Sequence, residues 1–310
     1  MSSSVQWHPF PYPPNLSTNH FYFGTSGYHF DDWIGKFNPP KHHLDPDAKD
    51  RLRFYLRYFD FIEINQTFYR EIDPSWFNGF LDRCNQNTQI TVKVHRDISH
   101  NWRWDLDVAK TLMDRHVIAV SEGLRSNRFF SFLIQLEDRV AYSPKRLKYL
   151  LGVSQVALLA GLDVHIEFRN ISWHQLDILQ ELKDLNNGIC NTEIPPIDQS
   201  IFPLKSYATS SKGYVRYSGR NIANWRQDAR KPKTRKEQIL ARNNRYDYRY
   251  SENELKARTT GQIALRQKTD CVAVAFNNHY EAAAVENAIS NMKMIDEMLN
   301  KEEDKEALLV

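Results

Sequence analysis

Short apolar segments with strand character recur eight times along the chain, and helical segments follow most of them. The strand-like segments comprise residues 21–26, 61–65, 89–95, 130–135, 163–169, 188–191, 213–217 and 271–276. Helical spacing of apolar residues marks residues 46–59, 74–84, 106–119, 143–160, 172–186 and 280–300. This alternation predicts an α/β fold, a parallel (β/α)8 barrel of the TIM type in one domain. An open doubly wound sheet is the alternative, but Gly24-Thr-Ser-Gly27 lacks the glycine fingerprint usual after its first strand.

The barrel is assigned to residues 20–300; two regions are expected to lie outside it, and a third is an insert within it. Residues 1–19 are rich in proline, serine and asparagine and predict an N-terminal arm. Residues 301–310 form a charged tail, and residues 220–251 form a basic, aromatic insert between the seventh and eighth strands.

Composition excludes several classes of protein. The 310 residues are 41% hydrophobic and 25% charged, as in an ordinary soluble domain. The three cysteines, Cys84, Cys190 and Cys271, have no CxxC spacing, which argues against a disulfide framework or a cysteine-based zinc site. No signal peptide and no apolar run of membrane-spanning length is visible, so we expect a cytoplasmic protein without a membrane partner.

Glu63 indicates a functional site most strongly. Strand alternation places it on one face with Phe61 and Asn65, and burial of an unpaired charge there would be very costly. Glu63 must therefore meet partners from other strands.

Polar residues recur at the ends of the other strands, where TIM-type barrels place their active sites. They are Thr25, Ser26, Asn65, Lys93, His95, Gln135, His165, Glu167, Arg169, Glu193, Arg216, Ser218, Asn277 and Asn278. Charged residues two apart in otherwise apolar strands predict a polar site at the barrel mouth. A purely structural network of ion pairs is the alternative.

An enzyme that acts on an anionic substrate is the first functional hypothesis. Lys93, Arg169 and Arg216 would bind phosphate or carboxylate. Further substrate contacts are expected from Asn65, Gln135, Asn277, Asn278, Thr25 and Ser26. Glu63 and Glu167 are the candidate acid and base, with pKa values separated by different cationic neighbours. His95 and His100 are candidates for proton transfer near neutral pH.

Two other chemistries use the same carboxylates. A divalent metal would be held by Glu63, His95, Glu167 and Glu193, with His279 as a further ligand, although three nearby cations would repel it. No HExxH motif is present. Glycoside hydrolysis would use Glu63 and Glu167 as a carboxylate pair, but a neutral sugar does not require the surrounding cations.

Nucleic-acid binding is the second functional hypothesis, and it rests on the insert. Residues 220–249 carry ten Lys or Arg against three acids, a local charge of +7 in a chain whose net charge is +3. Interleaved aromatic side chains could stack on bases. The candidate contacts are Trp225, Arg230, Lys231, Lys233, Arg235 and Tyr248. The alternative is that the insert is a solvated, charged segment that does not bind nucleic acid.

An ordered set of motifs between about residues 21 and 298 resembles the YecE-like family, which is domain of unknown function 72 (DUF72). The matching pieces are Gly24-Thr-Ser-Gly27, Glu63-Ile-Asn65 with Thr67-Phe-Tyr-Arg70, Lys93 with Ile98-Ser-His100, Gln135, Glu167-Phe-Arg169 with Ser172-Trp173, Arg216 with Gly219, Phe276-Asn-Asn278, and Asn287-Ala288. The resemblance implies a TIM-type barrel and the position of its site. It implies no reaction.

The chain departs from that family's pattern at several positions. Tyr28 replaces a tryptophan, Leu136-Glu137 replaces two prolines, Glu193 replaces an aspartate, and Ser218 replaces a histidine. A catalytic role of that histidine would not carry over. We therefore expect a hydrolase-like enzyme for a phosphate-bearing substrate that includes nucleic acid as one class. A non-catalytic nucleic-acid or ligand-binding barrel is the alternative.

Overall fold

Eight parallel strands close into a barrel in the computed structural model, which describes residues 6–100, 103–225 and 234–307. Each strand pairs with its neighbour in sequence, and β8 pairs with β1. The strands are β1 Phe21–Ser26, β2 Phe61–Ile64, β3 Gln89–Lys93, β4 Phe129–Gln135, β5 Val164–Glu167, β6 Gly188–Glu193, β7 Lys212–Tyr217 and β8 Cys271–Phe276. The predicted (β/α)8 barrel is confirmed.

Ten helices accompany the strands in the described ranges. They are α1 Arg51–Tyr55, α2 Pro74–Leu81, α3 Arg96–Ser99, α4 Leu106–Arg125, α5 Pro144–Leu159, α6 Leu176–Asp184, α7 Ile222–Trp225, α8 Arg235–Asn244, α9 Glu252–Arg266 and α10 Ala283–Ala307. None of the described helices is long and apolar enough to cross a bilayer.

Helix boundaries follow local caps that apolar periodicity alone does not reveal. The helix predicted over residues 46–59 is confined to α1, because the Asp50 carboxylate accepts hydrogen bonds from Leu52 N and Arg53 N and begins the helix there. Helix α9 was not predicted. Its signal is a capping box in which Ser251 and Glu254 bond to each other's backbone N–H groups.

The N-terminal arm packs on the barrel. Trp7 donates from its indole Nε1 to Phe37 O at 2.8 Å and from its backbone N to Asp45 at 2.8 Å. Leu16 is buried in the core, so the predicted arm contributes a core residue at that position.

The barrel interior is filled by a small apolar layer beneath the mouth. Its members are Phe61, Phe130, Leu133, Cys190, Tyr214, Ala273 and Ala275. The rings of Phe61, Phe130 and Tyr214 lie 5.7 to 6.0 Å apart between centroids and pack edge to face. These side chains form a packed apolar floor inside the barrel, and the polar groups at the mouth have no water beneath them.

Tyr55 of α1 joins the first two strands. Its hydroxyl donates to Phe61 O at 2.9 Å and accepts from Thr25 N at 2.7 Å. A Cβ on Gly24 would lie 1.9 Å from Phe61 O and 2.5 Å from the Tyr55 hydroxyl oxygen, so only glycine fits there.

Asp60 supplies a pH dependence of stability. Burial raises the pKa of its carboxyl to about 7, while the carboxyl accepts a hydrogen bond from Phe23 N at 2.8 Å. Because the folded protein binds this proton more tightly than the unfolded chain, the contribution to stability is complete below about pH 4. It is lost as the pH rises through 7.

Asp60→Asn should keep the Phe23 bond and remove the titration. We expect the variant to be about 2–4 kcal/mol more stable than the wild type at pH 8, with a smaller difference at pH 5. Urea unfolding at both pH values measures this. Asp114→Asn, on an exposed face of α4, is the matched control. Parallel pH profiles for wild type and Asp60→Asn would contradict the assignment.

Candidate functional site

A cavity of about 390 Å³ opens at the carboxyl ends of the strands. Its polar lining includes Ser26, Glu63, Asn65, Gln66, Lys93, Arg216 and Asn277. Its ring-bearing lining includes Tyr28, His29, Phe30, Phe68, Tyr69, Tyr246 and His279. The volume suits a small molecule, and the mixture of a few polar groups with many rings is typical of a ligand site.

Glu63 meets its partners across the barrel interior. Arg216 Nε donates to Glu63 Oε2 at 2.8 Å and Arg216 Nη2 donates to Glu63 Oε1 at 3.0 Å, a bidentate pair. The Tyr214 hydroxyl also donates to Glu63 Oε2. All three side chains are buried, so the expectation that this carboxylate requires partners from other strands is met.

Glu167 extends the same network. Arg216 Nη1 donates to Glu167 Oε2 at 3.1 Å, and Arg169 Nε donates to Glu167 Oε1 at 2.6 Å. The Arg169 guanidinium also lies 5.5 Å from the Trp225 ring centroid. Arg216 thus bridges two carboxylates, and each carboxylate accepts from a second donor.

The pKa values of both carboxylates move in the same direction. Burial alone would raise the pKa of Glu63, but Arg216 outweighs it and lowers that pKa below its ordinary value. Burial likewise opposes ionisation of Glu167, and Arg169 and Arg216 lower its pKa. Both carboxylates are therefore ionised at neutral pH. The predicted separation of their pKa values into an acid and a base stays a prediction.

Lys93 is the exception in this cluster. Its ammonium donates to Gln135 Oε1 at 2.6 Å and lies 4.3 Å from the Phe68 ring centroid. No carboxylate in the described part of the chain lies within 4 Å of it. Desolvation, with repulsion from Arg216 and Arg169, lowers the pKa of Lys93 to about 7.

The two predicted proton-transfer histidines do not line the cavity. Strand β3 ends at Lys93, and His95 instead caps α3 by accepting from Asp97 N at 3.3 Å. His100 lies beside Phe68, with its ring bonded to the Ser99 hydroxyl at 2.8 Å. Burial and the charge of Lys93 lower the pKa of His100 to about 3, so its expected titration near neutral pH does not occur.

The proposed metal ligands are not brought together. Glu193 pairs with Arg258, and its oxygen lies 3.8 Å from Arg220, whereas Glu63 and Glu167 bind Arg216 inside the barrel. In the ranges 6–100, 103–225 and 234–307, no three His, Cys, Asp or Glu side chains form a group suited to a metal ion. The predicted set of Glu63, His95, Glu167 and Glu193 does not form a site.

The neutral candidates divide into two groups. Ser26, Asn65 and Asn277 line the cavity, while Gln135 reaches it through Lys93. Thr25 and Asn278 have structural bonds instead. The Thr25 hydroxyl donates to Gly27 O at 2.6 Å, and Asn278 Nδ2 donates to Tyr248 O at 2.8 Å.

Two arginines of the insert pair with acids of the barrel. Arg220 lies 3.1 Å from Glu254, and Arg249 lies 3.0 Å from Glu286. Trp225 is buried, and the Tyr248 hydroxyl donates to Glu254 at 2.6 Å. Arg230, Lys231 and Lys233 lie outside the described residues, and Arg235 is the first residue of α8.

The sequence analysis missed Tyr214 and several residues of the cavity lining, including His29, Phe30, Gln66 and Tyr246. Tyr214 shares a strand face with Arg216, so its position two residues before the arginine was an available signal. Tyr246 lines the cavity from the insert, where no periodicity could place it. His279, considered only as a metal ligand, also lines the cavity.

The fold and the position of the cavity define a TIM-type barrel with solved relatives. A crystal structure of a DUF72 family protein from Thermotoga maritima superposes with a TM-score of 0.73 at 24% identity, covering 89% of this chain and 99% of that one. A DUF72 family protein from Enterococcus faecalis gives a TM-score of 0.73 at 21% identity, covering 89% and 95%. These likenesses concern the fold.

The sequence matches the family described as "Protein of unknown function DUF72" over residues 22–308. The UPF0759 protein YunF of Bacillus subtilis is 25% identical over 285 residues, which cover 89% of this chain and 94% of that protein. The chain therefore belongs to the DUF72 family, and the resemblance noted in the motifs is confirmed.

Arg216→Met should strongly destabilise the folded protein. The substitution leaves two buried carboxylates without their shared cation, so we expect a loss of about 3–5 kcal/mol in the free energy of unfolding. Arg220→Met, at a half-exposed surface pair, should cost about 1 kcal/mol or less. Urea midpoints compare the two. Equal midpoints would show that the buried network does not stabilise the fold.

Proposed function

We propose that the protein is an enzyme, hydrolase-like in its chemistry, that binds an anionic, phosphate-bearing substrate in the mouth cavity. The observation that carries the proposal is Lys93, a cavity-lining cation whose polar partner in the described structure is the neutral Gln135. A desolvated ammonium that has no carboxylate within 4 Å in the described residues favours an anionic ligand.

The charge balance of the cluster supports an anion. Arg169 and Arg216 are neutralised by Glu167 and Glu63, so protonation of Lys93 leaves one positive charge in excess. An anion beside Lys93 would supply the missing negative charge. It would also raise the pKa of Lys93, so binding would draw a proton onto the amine.

Glu63 and Glu167 differ in their access to the cavity. Glu63 lines the cavity, whereas Glu167 contacts the two arginines that hold it in place. In the proposed hydrolysis, water attacks phosphorus while Glu63 accepts a proton from that water. The bond between phosphorus and the leaving oxygen breaks, and the Lys93 ammonium gives a proton to that oxygen. Glu63 then releases its proton to solvent, and the Lys93 amine takes up a proton from solvent.

A binding barrel without catalysis is the second candidate. One observation favours it: Tyr214 and Arg216 already occupy Glu63 with three hydrogen bonds, which makes the carboxylate a weak base. Nucleic acid is one phosphate-bearing ligand of this kind, and its affinity should fall steeply with added salt. An affinity that is independent of salt would contradict it.

Sulfate tests the anion site because it mimics phosphate and does not titrate near neutral pH. At pH 8 we expect its binding to be accompanied by uptake of about one proton, since Lys93 is mostly neutral in the free protein. Calorimetry in buffers of different ionisation enthalpy measures the uptake.

Two variants control that measurement. Lys93→Met should abolish sulfate binding, whereas Lys93→Arg should retain binding without proton uptake, because a guanidinium stays protonated. Sulfate binding that is unchanged in Lys93→Met, or that takes up no proton in the wild type, would remove Lys93 from the anion site.

Glu63→Gln separates the enzyme from the binding barrel. We expect turnover of phosphate monoesters or diesters to fall about 100- to 10,000-fold, as for loss of a general base, while substrate affinity is retained. Glu167→Gln is the matched carboxylate change outside the cavity lining. Wild-type protein without turnover on a broad panel of both ester classes would favour the binding barrel.

A further inference from the structure

The cavity has a second, uncharged sector formed by the ends of three neighbouring strands. Ser26 ends β1, Asn65 follows β2, and His279 lies three residues after β8. These strands are adjacent in the closed barrel, in the order β8, β1, β2. All three side chains line the cavity.

This sector contains polar atoms that the protein itself does not satisfy. Ser26 Oγ, Asn65 Oδ1 and His279 Nδ1 are buried and make no hydrogen bond to the described residues. Native proteins pair the large majority of buried side-chain polar atoms. Three of the unpaired buried atoms of the described residues thus lie on residues that line one sector of one cavity, where a bound ligand would complete their bonds.

His279 is held rigidly for such a contact. Its ring stacks on Phe30 with centroids 4.2 Å apart and planes 9° apart, and Tyr246 packs on it at 5.0 Å. Its backbone oxygen accepts from Trp33 Nε1 at 2.7 Å. Burial lowers the pKa of His279 to about 4, so at neutral pH the ring carries one donor and one acceptor nitrogen.

Rings dominate the remaining walls. Tyr28, Phe30, Phe68, Tyr69 and Tyr246 all line the cavity. Aromatic side chains offer flat surfaces on which a planar ring can stack. Neutral donors and acceptors beside such surfaces suit a heterocycle better than a second charged group.

We propose that this sector binds a neutral, nitrogen-containing planar ring, so that the substrate is a nucleoside monophosphate with its phosphate at Lys93. The phosphate end of this assignment rests on the function proposed above, whereas the ring subsite rests on Ser26, Asn65, His279 and the aromatic walls. A cavity of about 390 Å³ suits one such molecule and not a duplex.

A ligand series tests the subsite on the intact protein. Dissociation constants are measured by calorimetry for the adenosine, guanosine, cytidine and uridine 5′-monophosphates, for ribose 5-phosphate and for inorganic phosphate. We expect at least one nucleotide to bind about 10-fold or more tightly than ribose 5-phosphate, because only the nucleotide carries the ring. Equal or tighter binding of ribose 5-phosphate, or binding that requires an oligonucleotide, would overturn the ring subsite.

Ser26→Ala gives a second readout that a structural role would not produce. Removing an unpaired buried hydroxyl should leave the melting temperature unchanged or raise it, while affinity for the preferred nucleotide falls about 3- to 10-fold through loss of one hydrogen bond. Inorganic phosphate should bind as in the wild type. A fall in melting temperature with unchanged nucleotide affinity would assign Ser26 to the fold alone.

His279→Phe keeps a flat ring beside Phe30 and removes the nitrogens. We expect a loss of nucleotide affinity of about 3- to 10-fold and unchanged binding of phosphate. The two proposals fail differently in these measurements. Absence of phosphate binding with retained binding of adenosine contradicts the anion site only, whereas phosphate binding without preference for a nucleotide contradicts the ring subsite only.

Discussion

Arg216 is the side chain on which the rest of the barrel mouth depends. One guanidinium joins Glu63 of β2 to Glu167 of β5 across the interior and helps to keep both buried carboxylates ionised. The apolar floor of Phe61, Phe130 and Tyr214 keeps water from the underside of these charged groups, so the charges must neutralise one another. The network therefore ties β2, β5 and β7 together across the barrel mouth.

Fixing the arginines changes what the site offers to a ligand. Three cations in a mouth suggest a strong anion site, yet Arg169 and Arg216 have their donors directed at carboxylates. What remains is Lys93, with the neutral groups of β8, β1 and β2 around the same cavity. The cavity thus combines the Lys93 ammonium, the Glu63–Arg216 ion pair and a larger surface of neutral side chains.

Residues on strands were predictable from the sequence because alternation assigns each one a face. Glu63, Lys93, Glu167 and Arg216 were identified in that way, and the barrel followed from the order of the strands. Prediction failed where strands end: His95 continues the alternation of β3 on paper but belongs to the cap of α3. Pairing also lay beyond the sequence, since β2, β5 and β7 meet only when the barrel closes.

The lowered pKa of Lys93 also affects the stability of the unliganded fold. A folded state that lowers a lysine pKa binds that proton less tightly than the unfolded chain, so the empty site weakens the fold at neutral pH. Occupancy by an anion would relieve this and stabilise the native state by mass action. The proposed ligand binding and the stability of the fold are thus opposed at Lys93. Substitution by an apolar residue there would stabilise the protein and remove the proposed anion site.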